Sequence, residues 1–305
     1  MADTSRTSRF NPPKVKLDWA ASPPDDLPPG YVVRLHGRGD VVIRDSGGDG
    51  PAVLLLHGWM FTADLNFAGT YQPLVEAGYR VIALDHRGHG RGLRPGTPFR
   101  LIDCADDAAA LLTELGIEHA VALGYSMGGP IAQLLARRHP DLVGGIVLCA
   151  TAQDWSDPGL KVAWQFMGVL RIIIGLLPRQ TWAWLLGSMG IADIRRDHWA
   201  VAELARGSGY DIAEAGRELG RFDSRPWIGE LRVPAAVVVT TEDLAVPPAK
   251  QRAMAEAIPA PVFEVEGDHT VPAIDPPLFT AAVLEALRSV TTHRRACTPG
   301  TATRT

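Results

Sequence analysis

The chain has 305 residues, 46% of them hydrophobic, enough for one sizeable core and an inserted subdomain. A formal net charge of −4 and a pI near 6.1 remove the electrostatic case for nucleic acid as a partner. The three cysteines, Cys104, Cys149 and Cys297, are widely spaced and fit neither a disulfide framework nor a zinc-ligand pattern.

Residues 1–30 are polar and proline-rich with no apolar signal core, and they read as a disordered tail on a cytoplasmic protein. From Tyr31, "YVVRLHG" and "DVVIRD" predict an opening hairpin. "AVLLLHG", "RVIALDHRG", "HAVALGYS", "GGIVLCAT" and "AAVVVTTED" then follow as short apolar runs ending in loop residues. Helical patterns separate them, among them Asp103–Leu115, Met127–His139, Pro248–Ile258 and Pro277–Ser289. Near-continuous apolar strands alternating with helices predict an α/β fold, a mostly parallel sheet covered on both faces.

Between residues 152 and 227 the strand signals vanish and the text turns helical and tryptophan-rich. The expected organisation is a core formed by 31–151 and 228–290, an inserted helical layer at 152–227, and a second disordered tail at 291–305. The apolar stretch Val162–Leu177 is interrupted by Arg171 and ended by Pro178. It falls short of the roughly 18–20 residues of a membrane span. It reads as a partly buried helix or as a surface that meets lipid-like molecules.

One serine stands out. Gly124-Tyr125-Ser126-Met127-Gly128 is a G-x-S-x-G placed after a predicted strand and before a predicted helix, where a tight turn would lift the hydroxyl clear. Such a hydroxyl needs a general base, and the base an orienting acid. Later strand ends offer both: Glu242-Asp243 after "VVVTT", and Asp268-His269 after "VFEVEG". The order is Ser…Asp/Glu…His, with Glu242 and Asp268 standing as rivals to Asp243.

In these motifs the chain resembles the α/β-hydrolases of the esterase, lipase and C–C hydrolase kind, over roughly Tyr31 to Ser289. "HGW" (His57 to Trp59) resembles their oxyanion loop, "DHRGHG" (Asp85 to Gly90) their structural D-x-R-G-x-G loop, "GYSMGG" the nucleophile elbow, and 152–227 the helical cap. The resemblance implies Ser126 as nucleophile, His269 as base and Asp243 as acid, the last by its spacing before Val246-Pro247. It implies oxyanion donors at the backbone N–H groups of Trp59 and Met127. His57 and His86 become loop-shaping residues. Two departures stand out: Arg91-Gly92 where serine usually continues the second loop, and Asp268 where a small apolar residue often precedes the histidine.

The tryptophans of the insertion, Trp164 and Trp184 in particular, suggest an apolar substrate pocket. The expected activity is therefore hydrolysis of small-molecule esters with hydrophobic acyl groups, needing no metal or organic cofactor. The expected form is a monomer or homodimer without a transmembrane segment, its cap in transient contact with lipid. A C–C bond or lactone hydrolase, a cofactor-free perhydrolase or haloperoxidase, and a ligand-binding module with a vestigial triad are the alternatives.

Overall fold

The structure, a computed structural model, describes residues 23, 26–156, 166–188 and 194–297, with side chains described except at 194–198 and 293–297. The apolar runs form strands β1 (Gly30–Leu35), β2 (Gly39–Asp45), β3 (Ala52–Leu56), β4 (Arg80–Leu84), β5 (Ala120–Tyr125), β6 (Val143–Cys149), β7 (Ala235–Thr240) and β8 (Val262–Val265). They make one sheet in the order β1-β2-β4-β3-β5-β6-β7-β8. β2 runs antiparallel to both β1 and β4, and every other pairing is parallel.

Between and after the strands lie α1 (Ala63–Glu76), α2 (Leu101–Glu114), α3 (Gly128–Arg138), α4 (Met167–Leu176), α5 (Pro178–Ser188), α6 (Ile194–Leu204), α7 (Gly209–Leu219), α8 (Pro248–Ala257), α9 (Val271–Ile274) and α10 (Pro276–Cys297). The central strands are apolar throughout because both faces are covered. Leu54, Leu56 and Ala122 face a core shared with α2, α3 and α8. Their neighbours Val53, Leu55 and Leu123 face Phe67 and Tyr71 of α1 and Phe279 and Val283 of α10. That alternation is the two-residue period of a strand.

Two elements differ from the sequence expectation. Helix α1 carries Pro73 within its last turn, which obscures its periodicity. Helix α10 continues past Ser289 to Cys297, so 291–297 is helical rather than tail, with no Pro or Gly to stop it before Pro299. Residues 1–22 and 298–305 lie outside the described residues.

The insertion leaves and re-enters the core at one point. Asp154 and Asp223 form an antiparallel bridge, and Ser224 N–H donates to Gln153 C=O at 2.7 Å. Its second half is fastened to the loop after β4. Ser208 N–H donates to Gly88 C=O at 2.7 Å, and Arg94 donates to Arg206 C=O at 2.9 Å. Arg91, the residue that departs from serine, pairs with Asp64 of α1 at 2.6 Å and with Glu203 of α6 at 3.2 Å. The first half packs by apolar contact instead: Ile174, Trp182 and Leu186 share a cluster with Trp59, Met60 and Phe61.

Candidate active site

The register of the sheet assembles the site. β3 and β5 are neighbours, with Leu56 opposite Gly124, so the loops that follow them lie side by side. β4 lies on the far side of β3 and β6 on the far side of β5, so the β3/β5 boundary is where the strand order reverses. Open α/β sheets place their ligands at the carboxyl ends of strands at such a point.

Ser126 follows β5 with φ +52°, a left-handed conformation that costs a non-glycine residue about 1 kcal/mol or more. The turn is held at both ends. Ser126 N–H donates to Cys149 C=O at 3.0 Å, and the Ser126 carbonyl accepts from Thr151 Oγ1 at 2.8 Å and Gly129 N–H at 2.9 Å. The flanking glycines answer to crowding: a Cβ on Gly124 would stand 2.3 Å from Gly128 O, and one on Gly128 would stand 2.0 Å from Leu56 O.

His269 Nε2 lies 2.9 Å from Ser126 Oγ, and His269 Nδ1 lies 2.7 Å from Asp243 Oδ2. Asp243 is buried, and both its oxygens accept. Oδ2 also takes the Thr240 hydroxyl at 2.8 Å, and Oδ1 takes the N–H groups of Ala245 at 2.9 Å and Val246 at 2.8 Å. A carboxylate so surrounded by donors accepts from Nδ1–H as well. That fixes the tautomer and leaves Nε2 as the acceptor facing Ser126 Oγ. Of the rival acids, Glu242 is exposed, and Asp268 turns away to bond Thr270 N–H at 2.7 Å and Thr270 Oγ1 at 2.6 Å. Those bonds hold the Asp268 carboxyl below its usual range.

The loop after β3 closes against the serine. A Cβ on Gly58 would stand 3.2 Å from Ser126 Cβ, and Gly58 N–H donates to Asn66 Oδ1 at 2.7 Å. Trp59 follows, its indole Nε1 donating to Ile212 C=O of α7 at 2.7 Å. Met127 is the N-cap of α3. Amides in a helix's first turn have no intrahelical partner and attract negative charge. Trp59 lines the same cavity as Ser126 and Met127 follows the serine in the chain, so both predicted donor residues border the site.

His57 and His86 lie beneath this floor with His89. His57 Nδ1–H donates to Gly58 C=O at 2.8 Å while its Nε2 accepts His86 N–H at 2.8 Å, so the ring is neutral and fully used. Burial pushes His57 down to about 4 and His89 to about 3, and His86 well below the ordinary 6.5. Burial thus keeps all three rings in the neutral form near pH 7.

A cavity of about 250 Å³ opens on Ser126 and His269, walled by Trp59, Met60, Phe61, Tyr125, Trp155 and Leu219. No described lining residue is Asp, Glu, Lys or Arg. Trp184 does not line it. Trp182 and Leu186 take the buried side of α5, and residue 184, about 200° around the helix from 182, stands 46% exposed. Trp164 lies outside the described residues. The walls that the sequence reading missed, Met60, Phe61, Trp155 and Leu219, carry no local motif, because distant segments converge on them. Among the described residues no cluster of three His, Cys, Asp or Glu side chains is arranged to hold a metal ion.

A family model described as alpha/beta hydrolase fold matches residues 51–181. The chain is 31% identical over 212 residues to a 3-oxoadipate enol-lactonase 2 of Acinetobacter baylyi, a match covering 67% of this chain and 77% of that protein. It is 36% identical over 121 residues to a bifunctional esterase/perhydrolase of Acinetobacter calcoaceticus, covering 39% of this chain and 43% of that one. Among solved structures, the enol-lactonase from Burkholderia xenovorans LB400 superimposes with a TM-score of 0.69 at 26% identity, covering 85% of this chain and 100% of that one.

Proposed function

Because the chain belongs to the α/β-hydrolase-fold family and is a hydrolase, we propose that it cleaves carboxylic esters of hydrophobic acyl groups through an acyl-enzyme on Ser126. The observation that carries this reading is the continuous chain of contacts from Asp243 through His269 to Ser126 Oγ at the mouth of an apolar cavity. His269 Nε2 takes the hydroxyl proton as Ser126 Oγ attacks the carbonyl carbon. Asp243 holds the ring and stabilises the imidazolium that forms. The Met127 and Trp59 backbone N–H groups receive the oxyanion. His269 then protonates the departing alkoxide, and a water deprotonated by His269 releases the acid.

The inserted helices act as the cap, with Trp155 and Leu219 receiving the acyl chain. Cyclic esters form a second substrate group for the same steps, favoured by the similarity to a protein named as an enol-lactonase.

A series of p-nitrophenyl esters tests the proposal. Each added methylene that enters the cavity is worth about 0.8 kcal/mol, roughly fourfold in kcat/KM. Rates should climb from acetyl through butyryl and then level off before decanoyl. Fastest turnover of acetyl esters, with longer chains progressively excluded, would overturn the acyl assignment. Absence of fluorophosphonate labelling at Ser126 would overturn the nucleophile.

A further inference from the structure

Helices α4 and α5 turn an apolar stripe outward. In α4 the buried residues are Met167 and Ile174, two turns apart, and Ile174 packs on Gly209 at the start of α7. The other side carries Phe166, Val169, Ile172, Ile173 and Leu176, between 44% and 75% exposed, and Trp184 of α5 joins them. Phe166, Val169, Ile173 and Leu176 recur at i, i+3, i+7 and i+10, which makes one continuous ridge rather than scattered exposure.

Charge narrows what can sit on this ridge. From Phe166 to Ser188 the sequence has Arg171 and Arg179 and no Asp or Glu, in a chain whose net charge is −4. The Arg171 guanidinium lies 4.6 Å from the ring centroid of Tyr210, itself 40% exposed. Bulky apolar side chains, exposed aromatics and two arginines in a stretch that contains no Asp or Glu form the pattern of a helix lying in a lipid headgroup layer. Arginine adds attraction to anionic headgroups. A second copy docked on the same face would instead bring two further arginines, and no acid from 166–188, against it. Spanning is ruled out by length: α4 is ten residues, about 15 Å, and Pro178 opens a new helix.

We propose that the outer face of α4 and α5 docks on an anionic lipid–water interface. The full chain should float with phosphatidylcholine vesicles containing about a quarter phosphatidylglycerol, and far less with phosphatidylcholine alone. Replacing Arg171→Gln and Arg179→Gln should weaken that binding about fivefold per residue. Ile172→Gln with Leu176→Gln should weaken it at least about tenfold. All these side chains are exposed, so circular dichroism should stay as in the parent, and the thermal midpoint should fall by no more than a few degrees as Arg171 gives up its contact with Tyr210, whatever the enzyme hydrolyses. Three results overturn the proposal: no flotation at any lipid concentration, equal flotation with both vesicle types, or binding indifferent to the variants. A concentration-dependent dimer dissolved by the Ile172/Leu176 double variant, without vesicle binding, would assign the face to a second copy and overturn it too.

Discussion

The Tyr125 hydroxyl donates to the main-chain carbonyl of His269, so the residue preceding the proposed nucleophile holds the loop that carries the proposed base. The Tyr125 ring lies 5.4 Å from the imidazole and meets Phe279 edge-on at 5.8 Å. Tyr125→Phe keeps the ring and removes the donor. The expected outcome is kcat lowered about tenfold, a barrier change of about 1.4 kcal/mol, with KM nearly unchanged. An unaltered kcat would show that the hydroxyl only satisfies the His269 carbonyl.

Ser126 gives a prediction in which stability and activity part company. Ser126→Ala should lose about 10³-fold or more of activity and all fluorophosphonate labelling. Ser126→Gly should be equally inactive and yet more stable by about 1 kcal/mol, because glycine accepts φ +52° without strain. Chemical denaturation of the parent and both variants measures it. A glycine variant no more stable than the alanine variant would contradict the strain.

The neighbouring acids separate cleanly. Asp243→Asn replaces an acceptor that serves His269, Thr240 and two backbone amides, and should cost about 10³-fold or more in kcat. Glu242→Gln, at an exposed site, should leave kcat within about twofold. The reverse order would move the acid by one residue.

Acidification should unfold the protein through its buried histidines. With His57 held at about 4 and His89 at about 3 by burial, and His86 also low, the native state refuses protons that the unfolded chain accepts below about 6.5. Stability present above pH 6.5 is therefore lost as pH falls toward 4. Asp85 and Glu203, raised by burial, act with the opposite sign and offset part of the loss. Urea unfolding from about pH 7 to about 5 should show a fall of at least about 1 kcal/mol per pH unit below the histidine range. Glu203→Gln should steepen it. A flat profile would mean that these rings protonate in place.

Leu219 and Trp155 offer a lever on acyl length. Leu219→Trp adds a ring to a cavity of about 250 Å³ and should move the preferred acyl chain shorter by several carbons, with acetyl turnover retained. The ester series reads this directly. An unchanged preference would place the acyl chain elsewhere.

Much of this was legible in the residues because the chemistry demands local signatures. The elbow at Ser126 needs glycines where Leu56 O and the following helix crowd it, and that requirement is written in five consecutive letters. The strands announce themselves because both sheet faces are buried. Asp243 was harder, since Glu242 is adjacent and of like chemistry. What distinguishes them is which one turns inward to Thr240 and His269, and that is tertiary. The pocket walls were illegible for the same reason. Trp184 carries the sequence expectation of a pocket wall, but helix phase puts it outside, while Trp155 lines the cavity with no motif to announce it. Arg91 departs from the family's loop, and only the fold reveals its partners, Asp64 and Glu203.

The inserted helices are fastened unequally, by hydrogen bonds that Ser208 N–H donates and the Arg206 and Ile212 carbonyls accept along one edge, and by apolar packing of Ile174, Trp182 and Leu186 along the other. These two kinds of attachment answer differently to temperature. Apolar association weakens on cooling and strengthens in the presence of sulfate, whereas short hydrogen bonds to main-chain carbonyls change little. The α4–α5 edge is therefore the one expected to loosen in the cold, while the edge joined to Gly88 by main-chain hydrogen bonds holds.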